Sequence, residues 1–225
     1  IVLWRHGQTD WNLENRFQGH SDIPLNETGF AQARRAAPLL LGLRPSKIVA
    51  SDLMRAQQTA SALADIANLP VLTDPGLRET NGGKWEGKTG AENRAVDFQR
   101  FVTWLDGNDE PAGEVGERRS EIATRAVSAI ERALEPNLET LIIVTHGGTA
   151  RIIIGKMLGL PMNQWATIGG LSNAAWSILE TGHHRPGWIL VEHNAGSLPE
   201  PIFGDRKSTR LNSSHVSESR MPSSA

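Results

Sequence analysis

The sequence predicts an α/β protein in which helices cover a sheet, and three observations carry that reading. Short apolar runs alternate with segments whose apolar residues recur every three or four positions. Residues 140–145, TLIIVT, are almost wholly apolar and largely β-branched, as a central strand buried on both faces requires. The 225-residue chain is 39% hydrophobic and 21% charged, an ordinary globular composition with length for one substantial domain or two small ones.

The elements follow in order. Residues 1–5, IVLWR, form the first apolar strand, broken by Gly7. Residues 7–26 make a long polar loop of the kind that carries function in a compact domain. Helical patterns occupy 27–41 and 53–67, with a strand at 47–50 between them and a weaker one at 70–73. A helix is expected over about 92–105, and the acidic, glycine-rich 106–117, DGNDEPAGEVGE, reads as a surface connection. In the helix at 118–135, Ile122, Ala126, Ala129, Ile130 and Ala133 form one apolar stripe. After the strand at 140–145 come a helix over about 149–158 and strands at 174–179 and 188–192. No internal repeat appears.

Composition narrows the chemistry. With 23 Lys and Arg against 25 Asp and Glu, the net charge of −2 supplies no global field for nucleic acid or an anionic membrane, so any anion site must be a local cluster. The absence of cysteine excludes disulfides, thiolate zinc sites and cysteine nucleophiles. No apolar run approaches the roughly 20 residues that cross a bilayer. The chain begins at Ile1 inside a strand pattern and without methionine, which implies a truncated N-terminus. Residues 205–225 are serine-rich, with no aromatic and few large aliphatic side chains, and read as a disordered, non-native tail.

The first strand ends in Arg5-His6-Gly7, and the strand at 140–145 ends in Thr145-His146-Gly147-Gly148. Ligands of open α/β sheets bind at the carboxyl ends of strands, so two such histidines can meet in one pocket. One strand-end histidine alone reads as a packed core residue; two in the same context point to a shared site. The helix after His146 would direct free N–H groups and its positive end into that pocket. With Arg5 this makes a local anion site, for which phosphate is the natural guest. No GxxxxGK[ST] motif marks a nucleotide loop. Arg55, just after a third strand end, fits the same pocket better than a solvated helix face.

These residues resemble a family. Arg5-His6-Gly7 with Thr9 and Asn12, RFQGHSDIPLNETGFAQA at 16–33, SDLMRAQQTA at 51–60, LRETNGGKWEG at 77–87 and THGG at 145–148 resemble the histidine phosphatase, or phosphoglycerate mutase-like, superfamily. The resemblance spans about residues 1–194 and implies one histidine phosphatase domain over 1–204. It implies a three-layer α/β/α fold, a largely parallel central sheet with helices on both faces, and a metal-independent, cofactor-free phosphohistidine mechanism. His6 takes the place of the nucleophile and Glu79 that of the proton donor. Arg5, Arg55 and His146 surround the transferring phosphoryl group, and Asn12, Gln18 and the Gly147 N–H add substrate contacts.

The segment after Glu79 lacks the long insertion of the mutases, and LRE followed by G-x-W-E-G resembles the phosphatase branch, with water as acceptor. Residues 163–176, NQWATIGGLSNAAW, resemble phosphatases acting on glucosyl-3-phosphoglycerate; other sugar or glycerate phosphates and α-ribazole phosphate stay open as substrates. The alternatives are a phosphoglycerate mutase and a non-catalytic phospho-ligand binding module. The expected partners are a small phosphorylated substrate and, among the assemblies the family forms, a second copy in a homodimer; no nucleic acid or membrane is expected, and the location expected is cytoplasmic. GEVGERR at 113–119 departs from the family's glycine-glycine-glutamate-serine pattern. Arg118 and Arg119 could reach a substrate carboxylate but read more readily as helix-surface charges, Trp4 reads as packing, and His183-His184 as an exposed pair without metal-ligand spacing.

Overall fold

The computed structural model describes residues 1–182 and 186–196. The expected tail and the His183-His184 pair lie outside the described residues. Six strands, β1 Val2–Arg5, β2 Lys47–Ala50, β3 Val71–Thr73, β4 Leu141–Thr145, β5 Trp176–Thr181 and β6 Trp188–Ala195, form one sheet. Their order is β3-β2-β4-β1-β5-β6. The first four strands of that order run parallel, while β5 and β6 return antiparallel.

The helices are α1 Asp10–Leu13, α2 Glu27–Leu41, α3 Met54–Ala67, α4 Gly90–Val96, α5 Phe98–Leu105, α6 Arg119–Ala133 and α7 Gly147–Met157. The strand period of two sends alternate side chains to opposite faces of the sheet, and each face builds its own core. Val2, Trp4, Ile142 and Val144 pack against small residues of α2 and α3 such as Ala33, Ala37, Ala56 and Ala60. Leu3, Val49, Leu141 and Ile143 pack against Ala126 and Ile130 of α6 and Ile153 and Ile154 of α7. All five predicted stripe residues of α6 are buried. Trp4 is also a core residue, and its indole Nε1 donates to the Ala174 carbonyl at 2.9 Å.

Four departures from the sequence reading have physical causes. The helix expected over 92–105 is broken at Asp97, whose carboxylate caps α5 by accepting from the Arg100 N–H at 3.1 Å. The loop after β1 contains α1, started by a capping box between Thr9 and Asn12. Strand β5 begins two residues late because Ala174 adopts a left-handed turn at φ 57°. The stretch 106–117 is not merely a surface connection. Ala112 and Gly113 are buried, and the Gly113 carbonyl accepts from the Lys84 N–H at 3.1 Å, pinning the stretch to the loop that follows Glu79.

The loop after β1 and the first turn of α2 approach closely, backbone against backbone, at Gly7 and Gly29. A Cβ at Gly7 would lie 2.4 Å from the Gly29 carbonyl oxygen, and one at Gly29 would lie 2.1 Å from that of Gln8. Gly7→Ala is therefore expected to destabilise the fold by about 1–3 kcal/mol, read as a lower urea midpoint at unchanged slope. An unshifted midpoint would contradict this packing.

Candidate active site

The parallel register of β1 and β4 builds the centre of the site. Val2 pairs with Ile142 and Arg5 with Thr145, so His6 and His146 are the next matched pair beyond the strand ends. The His6 N–H donates to the Thr145 carbonyl at 3.0 Å, and the two imidazole centroids are 5.2 Å apart. The expected meeting of the two histidines is thus a consequence of strand register.

The rings hold opposite tautomers. His6 Nδ1 donates to the carbonyl of Gly7 at 2.7 Å, which leaves a lone pair on Nε2. His146 Nδ1 accepts from Arg55 Nε at 3.2 Å, which places the proton on Nε2. That buried His146 Nε2 has no partner among the described residues. One histidine therefore presents a base or nucleophile and the other a donor.

Burial first, and then the charges of Arg55 and Arg5, hold His6 well below the usual histidine pKa. Burial, Arg55 and His6 lower His146 likewise. Unfolded histidines take up protons near pH 6.5 while these two do not, so the unfolded state binds more protons as the pH falls below that value. Stability is expected to be full above about pH 6.5 and to drop by up to about 1.4 kcal/mol per pH unit for each histidine below it. Urea midpoints measured from neutral to mildly acidic pH check this. A His146→Gln protein should show a shallower decline; identical slopes would contradict the buried neutral pair.

Arg55 sits in the first turn of α3 and is wholly buried. It donates to the carbonyls of Gly19 and Ser21, both at 2.8 Å, as well as to His146. Those bonds use three of the guanidinium's five N–H donors. Burial pushes its pKa down to about 10, still charged at neutral pH. Arg5 donates to the Leu171 carbonyl at 2.6 Å and lies beside Gly147, 3.4 Å from where a Cβ there would stand.

The Glu79 carboxylate lies on the N-terminus of α7. It accepts from the N–H groups of Gly148 and Thr149, each at 3.0 Å, and from the Thr149 hydroxyl at 3.2 Å. The helix end thus directs free N–H groups into the pocket, but not all of them are open to an anionic guest. Two of them orient Glu79, and only the Gly147 N–H is left without a hydrogen bond among the described residues.

The loop carrying Glu79 is clamped from behind by residues the sequence reading missed. Arg125 of α6 donates to the carbonyls of Gly76, Arg78 and Glu79 at 2.7–2.9 Å. Its guanidinium is held by Glu117 at 2.7 and 2.8 Å. The His20 ring lies 2.9 Å from the Glu79 carbonyl. Nothing local in GEVGERR signals that Glu117 folds back onto this loop.

Asn12 Oδ1 is occupied by the Thr9 N–H at 3.0 Å, the Thr9 hydroxyl at 3.1 Å and Asn173 Nδ2 at 3.2 Å, so its amide N–H2 is the end left for an anion. Asn173, another residue not anticipated at the site, also donates to the His6 carbonyl at 3.2 Å. Gln18 is buried with its Oε1 unpaired among the described residues. Thr59 accepts from the Gly7 N–H at 3.0 Å and fixes the backbone beside His6.

These groups line one cavity of about 290 Å³, with Arg5, His6, Asn12, Gln18, Arg55 and Glu79 in its wall. Gly148, Trp104 and Arg151 complete it, together with Arg16, Phe17, Gly19 and Thr80. Of the predicted residues, His146 and Gly147 are not in its lining; His146 is bonded to Arg55, and Gly147 lies beside Arg5. A more apolar cavity of about 330 Å³ between α2 and Trp176 contains none of them. Arg118 is exposed as expected, but Arg119 is only 7% exposed and lies over Trp104, which corrects its reading as a surface charge. Among the described residues, no group of three His, Cys, Asp or Glu side chains is placed to hold a metal ion, and no helix is long and apolar enough to cross a membrane.

Comparison with known proteins identifies the family. Residues 1–195 match the family model for the histidine phosphatase superfamily (branch 1). A glucosyl-3-phosphoglycerate phosphatase of Mycobacterium tuberculosis is 36% identical over 213 residues, covering 88% of this chain and 95% of the relative. A probable phosphoglycerate mutase of Yersinia pestis is 35% identical over 162 residues, 72% of this chain and 75% of the relative. The solved mycobacterial glucosyl-3-phosphoglycerate phosphatase in complex with VO3 superposes with a TM-score of 0.80 at 38% identity, covering 87% of this chain and 98% of that one. The chain belongs to the histidine phosphatase superfamily.

Proposed function

We propose that the protein is a phosphomonoesterase of the cytoplasm that hydrolyses a small phosphorylated metabolite, with glucosyl-3-phosphoglycerate the leading candidate. The observation that carries this reading is the matched histidine pair in opposite tautomers, with Glu79 in the same cavity wall as His6. The relatives named above support the substrate class.

In the first half-reaction His6 Nε2 attacks phosphorus in line with the ester oxygen. The P–O bond breaks as the N–P bond forms, and the leaving alcohol oxygen takes a proton from the Glu79 carboxyl. Arg5, Arg55 and the His146 Nε2–H stabilise charge on the equatorial oxygens, with Asn12, Gln18 and the Gly147 N–H as further contacts. In the second, water attacks the phosphoryl group and gives its proton to Glu79. The N–P bond breaks, phosphate leaves and His6 is restored. No step calls on a metal or other cofactor.

A phosphate-release screen over sugar phosphates, glycerate phosphates and glucosyl-3-phosphoglycerate, without added metal and with EDTA, tests this reading. Release that EDTA does not diminish is the expected result. Conversion of 3-phosphoglycerate to its 2-isomer without phosphate release, seen by NMR, would identify a mutase instead. Binding without turnover would identify a non-catalytic module.

A further inference from the structure

Three arginines near this pocket are neutralised by a carboxylate: Arg16 by Glu14, Arg78 by Asp52, Arg125 by Glu117. Arg119 and Arg151 are not. Among the described residues neither makes an ion pair, and both Nε atoms are buried without a hydrogen-bond partner. Arg119 lies flat over the Trp104 ring, 4.4 Å from its centroid, and donates to the Trp104 carbonyl. The acid whose charge reaches it, Asp109, is already committed to the Ser120 N–H at 2.9 Å and hydroxyl at 2.7 Å. Burial and the neighbouring charge of Arg151 push the Arg119 pKa down to about 10, so the two cations sense each other. Two largely buried guanidinium groups that sense each other, with no carboxylate in an ion pair with either, are costly, and an anion in the pocket would offset that cost.

The placement says where such an anion would sit. Trp104 and Arg151 line the same cavity as His6 and Glu79, while Arg119 stands behind the Trp104 ring. Arg5 and Arg55 serve the strand-end site, which leaves Arg151 facing another part of whatever carries the phosphoryl group.

We propose that Trp104, Arg119 and Arg151 form a second anion subsite that receives a carboxylate borne by the substrate a few atoms from its phosphoester. Arg151 makes the direct contact, the Trp104 ring forms the wall, and Arg119 positions that ring and adds charge behind it. The pocket thereby selects phosphorylated hydroxy acids over phosphorylated neutral alcohols. This inference rests on the phosphatase reading above.

The test compares 3-phosphoglycerate with glycerol 3-phosphate, which lacks the carboxylate. The wild-type kcat/KM should favour the carboxylated substrate by about 10- to 100-fold, the range of one charge-assisted contact. Arg151→Gln should remove most of that preference through a raised KM, and Arg151→Lys, which keeps the charge, should recover part of it. Arg119→Gln should reduce the ratio by a smaller factor. A wild-type ratio near one overturns the subsite whether or not any variant folds, and so does an Arg151→Gln protein with the ratio intact. If the wild-type protein releases phosphate from no ester in the panel, the phosphatase reading falls and the subsite with it; release from neutral esters with no gain for acids removes the subsite alone.

Discussion

His6→Ala is expected to lower kcat by at least about 10⁴-fold, since removing a covalent nucleophile leaves only binding and electrostatic stabilisation. No other group can take its place. His146 is the nearest imidazole, but its Nδ1 is committed to Arg55 and its Nε2 carries the proton, so it offers no lone pair to phosphorus. The fold should survive, because His6 is held mainly through its own backbone N–H and carbonyl. Phosphate release under saturating substrate, with the urea midpoint as a control for folding, checks this. A folded His6→Ala protein retaining more than about one per cent of wild-type turnover would contradict the assignment.

Glu79→Gln is the second large effect. The amide keeps the shape and can still accept from Gly148 or Thr149, but it neither delivers a proton to the leaving oxygen nor takes one from water. A loss of about 10²- to 10⁴-fold in kcat is expected for an alkyl phosphate. The loss should be smaller in the first half-reaction for p-nitrophenyl phosphate, whose leaving group needs no proton. A burst of nitrophenol followed by slow turnover would report that the phosphoenzyme forms and then waits for its base. Equal losses for both esters with no burst would mean that Glu79 acts only in shaping the loop.

The centre of the site was legible in the sequence because it depends on local pattern and register. Two apolar strands ending in His-Gly specify a matched pair once they lie side by side, and β1 and β4 do. The two-core sheet follows from alternation in the strands and from the stripe on α6. What the sequence left unread involves long-range contacts made by polar residues. Glu117 and Arg125 are eight residues apart, yet their function is to hold carbonyls nearly fifty residues upstream. Arg119 reads as a surface charge by position, but Trp104 folds over it from a segment whose break at Asp97 was itself unforeseen. Glu79 lines the cavity with His6, and its seat on the α7 N–H groups is visible only in the geometry.

The most direct test of the account is to trap the intermediate. Wild-type protein mixed briefly with substrate and quenched under alkaline conditions, which preserve phosphohistidine, should yield a peptide containing His6 heavier by one phosphoryl group. The label should be absent from His6→Ala and should persist longest in Glu79→Gln with p-nitrophenyl phosphate. Turnover without any label at His6, or a label at the same level in His6→Ala, would contradict covalent catalysis by this residue.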